Sequence, residues 1–227
     1  MIRSIWRTLG TELARDIALV CLADTVVGLS FGAIAVGAGL PFWLPMLLSV
    51  VVFAGASQFM FVAVVAAGGN PIAAVLTGLL VNTRLIPMGF AVADVLGKGP
   101  KRLLASHLLI DENVAFTVAQ EDPRRRKAVY WTCGIGLFVC WNIGVVIGAF
   151  GGSFLPDPDA FGLDAAFPAV ILALVMPSLK DRATQRAALT GVVIALATAP
   201  FLAPGIPVLL ALVGVVASLG GDKVAAK

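Results

Sequence analysis

The chain has 227 residues, 59% of them hydrophobic and only 13% charged, with a formal net charge of +3. Soluble domains carry about a quarter of their residues as charges, so a soluble globular protein is excluded. The small basic excess sits in short clusters between apolar runs, the pattern of cytoplasmic membrane loops; it forms no continuous face for nucleic acid.

Three runs lack Asp, Glu, Lys and Arg altogether: Thr25–Thr83, Ala128–Pro156 and Ala187–Gly221. Each exceeds the ~20 apolar residues that cross a bilayer as a helix. The alternating pattern of a membrane β-barrel is absent. The expectation is an all-α polytopic membrane protein with about 6–7 transmembrane helices plus one or two short, broken or re-entrant helices. It forms a single integral-membrane domain over residues 1–227.

Residues 1–16 mix Arg3, Arg7, Glu12, Arg15 and Asp16 with Ile5, Trp6, Leu9 and Leu13 at helical spacing. This reads as a retained cytoplasmic interfacial lead-in, since no small-residue cleavage site follows. The first apolar segment, Ile17–Leu40, holds Asp24 and a Gly28/Gly32 pair that admits close approach of another helix. Pro41 and Pro45 end it, with Phe42 and Trp43 as an interfacial belt. The second segment runs from Leu44 to Ala67. After a Gly68-Gly69-Asn70-Pro71 turn, the third runs from Pro71 to Leu96, and Lys98, Lys101 and Arg102 follow.

Leu103–Gln120 contains His107, Asp111, Glu112 and Asn113, whose polar groups spread around a helical wheel. A surface helix shows one clean stripe, so a short helix buried among others fits better. The cluster Arg124–Lys127 precedes a fourth span, Val129–Phe150, and Gly144, Gly148 and Gly152 form a second close-packing face. The 151–164 loop has Asp157, Asp159 and Asp164 but no Lys or Arg. A fifth span reaches Leu179, with Lys180, Arg182 and Arg186 after it. The last charge-free run, with Pro200, Pro204 and Pro207, reads as a hairpin of two short spans, and 222–227 as a short cytoplasmic tail.

The excess of Lys and Arg assigns the N-terminus, 98–102, 124–127, 180–186 and the C-terminus to the cytoplasm, and 151–164 to the outside. Three full spans before 98–102 violate parity. Either the N-terminus lies outside, or one segment enters and leaves on the same side. The glycine-rich first segment is the expected interrupted element, and 103–120 is a second. Such backbone is tolerated at membrane depth only where protein or water surrounds it, and it is typical of transporters.

Arg84 is the sharpest local signal, because its guanidinium stays charged and costs about 2.5–3.5 kcal/mol at a helix centre. It is either half of an ion pair with Asp24, Asp111 or Glu112, or the anchor of a bound carboxylate, which its planar fork suits. Asp24 is a candidate proton carrier or a partner for Arg84. Asp111, Glu112 and Asn113 are adjacent and cannot share one helix face, so at least one meets a polar cavity or water. His107 reads as a surface pair with Asp111, with a proton relay as the alternative. Gln58 and Asn82 are ligand or helix–helix hydrogen-bonding groups. Cys21, Cys133 and Cys140 have no metal-ligand spacing and read as packing residues; no metal, cofactor or soluble-enzyme motif is present.

Five blocks carry a family resemblance: Phe53-Ala-Gly-Ala-Ser-Gln-Phe59, Asn82-Thr-Arg84, Asp111-Glu-Asn-Val-Ala-Phe116, the stretch Trp141–Gly152, and Gly162–Pro177. In order and spacing they resemble the AzlC/YgaZ family, large subunits of branched-chain amino acid exporters, over roughly residues 15–220. The resemblance implies a multi-pass protein of the bacterial inner membrane that exports valine, leucine, isoleucine and, as a further candidate, methionine, driven by the proton gradient. It also implies a small hydrophobic AzlD/YgaH-type partner subunit. Two positions depart from the pattern: Leu85 stands where His or an aromatic residue is expected, and Ser30 where many members have Pro.

A zwitterion with an apolar side chain needs a carboxylate anchor, an ammonium acceptor and an apolar pocket. Arg84 is the candidate anchor, Asp24, Asp111 or Glu112 the ammonium acceptor, and Phe31, Phe53, Phe59, Phe61 and Val62 the pocket. Gln58 and Asn82 are further substrate-binding candidates, and Asp24, Asp111, Glu112 and Asn113 are candidates for proton coupling or ion pairing. The alternatives are a non-transporting scaffold subunit and a passive channel.

Overall fold

The computed structural model describes residues 9–154, 172, 176, 178–202 and 206–215. The lead-in before Leu9, most of the aspartate-bearing loop, most of the fifth span, most of the Gly162–Pro177 block and the 222–227 tail lie outside the described residues. Every regular element among the described residues is helical. In chain order these are α1 (Thr11–Gly37), α2 (Trp43–Val51), α3 (Gly55–Ala66), α4 (Pro71–Asn82), α5 (Leu85–Ala91) and α6 (Ala93–Leu96). Then come α7 (Pro100–His107), α8 (Asp111–Val118), α9 (Pro123–Ser153), α10 (Arg182–Thr198) and α11 (Ile206–Leu210).

Three runs among them are long and apolar enough to cross a membrane: Thr11–Gly37, Pro71–Ala91 and Pro123–Ser153. At 1.5 Å per residue, the 27 residues of α1 and the 31 of α9 reach about 40 and 46 Å, beyond a hydrocarbon core of about 30 Å. The chain divides into two compact units, Met1–Gln58 with Leu80–Leu163, and Phe59–Leu79 with Asp164–Lys227.

In the first unit, α9 is the spine and packs on α1, α2, α6 and α8. Its contact with α1 is backbone against backbone. A Cβ on Gly28 would fall 2.7 Å from the Trp141 carbonyl oxygen, and one on Gly152 2.9 Å from that of Ala33. Gly32 abuts the Val145 carbonyl, Gly144 that of Thr25 and Gly148 that of Leu29, with no room for a side chain at any of the three. Asp122 caps α9 by accepting the Arg125 N–H at 2.8 Å, and Pro123 occupies its first turn. The Arg125 guanidinium then donates to the Leu9 carbonyl at 3.0 Å, tying the start of α9 to the chain entering α1.

The first segment corrects the expectation that it is interrupted: α1 is one continuous helix, and residues 11–16 are its opening turns. Its interior glycines face α9 and do not break the helix, because the packing they allow outweighs their poor helix propensity. The stop comes at Gly39, which takes φ +83 while its N–H donates to Val36 O and that of Leu40 to Ala35 O. Those bonds satisfy carbonyls that the helix end leaves open, and Pro41 prevents continuation.

The interruptions fall in the second and third segments instead. Leu44–Ala67 is split between α2 and α3 at Val52–Ala54, and Pro71–Leu96 between α4 and α5 at Thr83–Arg84. The expected short helix over 103–120 is the second half of α7 plus α8, with an extended Ile110 between them.

In the second unit, α10 packs on α11 and the 3-10 turn Ala211–Val213. A Cβ on Gly191 would lie 2.8 Å from the Ala211 carbonyl oxygen, and one on Gly214 2.6 Å from the Gly191 nitrogen, so this apolar run folds back on itself at small residues. Asp181 caps α10, accepting the Thr184 N–H at 2.8 Å and its hydroxyl at 2.9 Å. Those two bonds, the backbone one first, hold its carboxyl below the ordinary carboxylate range. The cap's contribution is therefore complete above the ordinary aspartate pKa and is lost as pH falls through the lowered value. Asp181→Ala should lower the thermal midpoint at neutral pH, with the gap to wild type closing in acid.

Candidate functional site

The break between α2 and α3 is built around Phe53, the one non-glycine residue with positive φ among the described residues, at 44°. Such a conformation costs on the order of 1–3 kcal/mol for a bulky residue and persists only when its surroundings enforce it. Part of that enforcement is Gln58, one turn into α3. Its side-chain oxygen accepts the Ala54 N–H at 3.1 Å, filling the hydrogen bond that the break removes, while Ser57 Oγ donates to the Ala54 carbonyl at 2.8 Å. Gln58 is 1% exposed, and its Nε2 has no partner. The Phe53 ring lies 5.0 Å from that of Phe138 and 6.0 Å from that of His107.

At the second break the Thr83 hydroxyl and N–H both return to the Leu80 carbonyl, and the Ile86 N–H bonds to Thr83 O. This tight turn ends α4 at Asn82, whose buried Oδ1 is unpartnered, and leaves Arg84 at the mouth of α5. Arg84 Nη2 meets Asp111 Oδ2 at 2.7 Å, with the two side chains 41% and 34% exposed. Asp111 and Glu112 form the first turn of α8, where the helix dipole favours negative charge. Asn113, fully buried beside them, donates through Nδ2 to the Leu108 carbonyl at 2.9 Å, and its Oδ1 has no partner. A Cβ on Gly134 would meet that Nδ2 at 2.6 Å, so the glycine is what lets α8 seat against α9.

The structure thus selects one counter-charge for Arg84 from the three acids the sequence offers. Asp24 lies in the middle of α1 and Glu112 in the first turn of α8, and neither forms an ion pair among the described residues. Asp24 Oδ2 is buried without a partner. The expected His107–Asp111 pair is not formed: His107 packs edge-on to Phe138 and beside Phe53, while Asp111 goes to Arg84. Phe31 is fully buried in the α1–α9 contact, stacked on Trp141 at 5.8 Å. Gly55 brings α3 onto the same indole, since a Cβ there would sit 3.1 Å from it. Phe59 and Val62 are buried but, like Phe61, belong to the second unit.

Chemically the first unit offers a forked cation and an amide N–H for an anion, then carboxylate and amide oxygens for a cation, and aromatic rings beside the strained Phe53. A buried polar atom without a partner costs about 1–3 kcal/mol, so Gln58 Nε2, Asn82 Oδ1, Asn113 Oδ1 and Asp24 Oδ2 are expensive unless something else binds them. Among the described residues no cluster of His, Cys, Asp and Glu has the makings of a metal site. The sequence reading passed over Phe138, which looks like any apolar span residue, and Asp94 and Arg126, which form a second ion pair at 2.9 Å. Arg126 is one of four consecutive cations, and nothing in their order marks it out.

The family described as AzlC protein matches residues 19–155, which hold all of these groups. The inner membrane protein YgaZ of Escherichia coli K12 is 30% identical over 176 residues, covering 74% of this chain and 69% of that protein. The branched-chain amino acid transport protein AzlC of Bacillus subtilis is 24% identical over 199 residues, 85% of this chain and 78% of its own. An uncharacterized membrane protein of Helicobacter pylori 26695 is 25% identical over 203 residues, 88% and 89% of the two chains. No solved structure matches the chain.

Proposed function

From the premise that this chain belongs to the AzlC family, we propose that it exports branched-chain amino acids across the bacterial inner membrane. The observation that carries this reading is the Arg84–Asp111 pair, half exposed at a helix break and flanked by buried polar atoms without partners. Protein leaves 41% and 34% of the two side chains uncovered, so a substrate carboxylate can reach Arg84 and take it from Asp111. Gln58 Nε2 supplies a further N–H for that carboxylate. The released acid, with Asn82 and Asn113, receives the ammonium group, and Phe53 contributes to the apolar surface for the side chain.

Export is driven by the proton gradient, with Asp24 as the proton carrier. One carboxylate oxygen, Oδ2, is buried within the apolar α1 span without a hydrogen-bond partner. A small hydrophobic AzlD/YgaH-type subunit completes the transporter, and both termini lie in the cytoplasm, a reading that the basic clusters support.

The test is flux of labelled valine, leucine and isoleucine in proteoliposomes, with and without the small subunit and an imposed pH gradient. Saturable flux that follows the gradient is expected. Asp24→Asn should leave flux running down the substrate gradient and remove its response to pH; an unchanged response rules Asp24 out as the carrier. Unsaturable flux without a gradient would make the protein a channel. No flux at all, with the small subunit still bound, would make it a scaffold.

A further inference from the structure

Arg126 lies in the first turn of α9, at the far end of the short helices from Arg84 and Asp111. Its Nε and Nη2 both bond the Asp94 carboxylate at 2.9 Å, Nη2 also donates to the Ala91 carbonyl at 3.1 Å, and Nη1 to those of Thr117 and Gln120 at 3.4 Å. A guanidinium has five N–H donors in a rigid fork, and here every one is engaged. The acceptors are not random. Ala91 closes α5, and Thr117 and Gln120 stand at the end of α8, where a cation is favoured; the Thr117 carbonyl also accepts the Gln120 N–H at 3.1 Å. The opposite ends of these two helices begin at Arg84 and Asp111. With seven and eight residues, α5 and α8 are about 10–12 Å long, so a displacement at one end reaches the other with little loss.

We infer that Arg126 is a positioning residue: by clamping the C-terminal ends of α5 and α8 to α9, it sets the register in which Arg84 and Asp111 meet at their N-terminal ends. The sequence does not set Arg126 apart from Arg124, Arg125 and Lys127, but the geometry does. A lysine keeps the charge and loses the clamp, since three donors on a single nitrogen cannot span the Asp94 carboxylate and carbonyls from two helices.

The importance of that register rests on the transport reading, so the experiment has one arm that depends on transport and one that does not. Spin labels are placed at Ile86→Cys on α5 and Ala115→Cys on α8, both exposed, in a variant without the three native cysteines. In Arg126→Lys the label–label distance distribution should broaden, and the KM of the folded protein for a branched-chain amino acid should rise roughly fivefold or more. A residue needed only for stability would reduce the amount of folded protein without altering either quantity. Asp94→Asn, at a half-exposed position, leaves the carbonyl contacts and should shift both readouts the same way by a smaller factor. Unchanged distances in both variants overturn the clamp. Distances that broaden while KM stays put overturn its link to the site. Should the wild type move no amino acid, the transport reading fails and the distances alone decide the clamp.

Discussion

Arg84→Gln should abolish branched-chain amino acid transport while leaving the protein folded. The pair it removes is only partly covered by protein, and glutamine keeps a hydrogen-bond donor for Asp111, so the unfolding midpoint moves little. Function behaves differently if Arg84 anchors the substrate as proposed, because the carboxylate then loses its forked partner at this break. Truncating one side of such an anchor costs at least about 2 kcal/mol, or roughly 30-fold in apparent affinity. Arg84→Lys should rescue little, since an ammonium cannot hold a carboxylate through two parallel bonds. Asp111→Asn should act in between, freeing Arg84 for substrate but removing the group it returns to. Flux measured against folded protein separates these outcomes. Wild-type flux in Arg84→Gln would eliminate the proposed site outright.

The second large effect is structural. Gly148→Ala should destabilise the protein by about 1–3 kcal/mol or more, because the new methyl group meets the Leu29 backbone of α1, which cannot rotate away as a side chain does. Three residues on, Gly151 supplies the control: nothing lies within 4 Å of where its Cβ would stand. Gly151→Ala should therefore be neutral or stabilising by up to about 1 kcal/mol, since alanine is the better helix former. Thermal unfolding in detergent of the two variants reads the difference directly. If both behave alike, α1 and α9 do not make the backbone contact described here. Gly144→Ala, set against the Thr25 carbonyl, should follow Gly148→Ala.

Much of this was visible in the order of residues. Charge-free runs longer than a bilayer span announce helices, because lipid offers the backbone no hydrogen bonds and only a helix satisfies them within one segment. The four-residue spacing of Gly28 with Gly32, and of Gly144 with Gly148 and Gly152, puts each set on one helix face. These are the residues at which α1 and α9 meet. The charge of Arg84 stands out for the same elementary reason, the cost of a permanent cation among apolar helices.

What the order of residues left open was decided in the folded chain, partly by partners distant in sequence. A glycine in an apolar run reads equally as a helix breaker or as a contact point. Only the presence of α9 opposite makes those in α1 contact points, and so the first segment stays whole. The real breaks, at Phe53 and at Thr83–Arg84, carry neither proline nor glycine at their centre. They hold because Gln58, Thr83 and the Arg84–Asp111 pair satisfy what the broken helix exposes. Asp24, Asp111 and Glu112 were equal candidates for Arg84 in sequence. The fold chose Asp111 because α8 places its first turn against the mouth of α5, while Asp24 sits within the α1 span. Sequence alone thus settles which segments are helical and which residues are out of place in lipid. Which charge answers Arg84 depends on a pairing across 27 residues. Which segment breaks depends on local side-chain bonds, between Gln58 and Ala54 and between Thr83 and Leu80, that residue spacing does not announce.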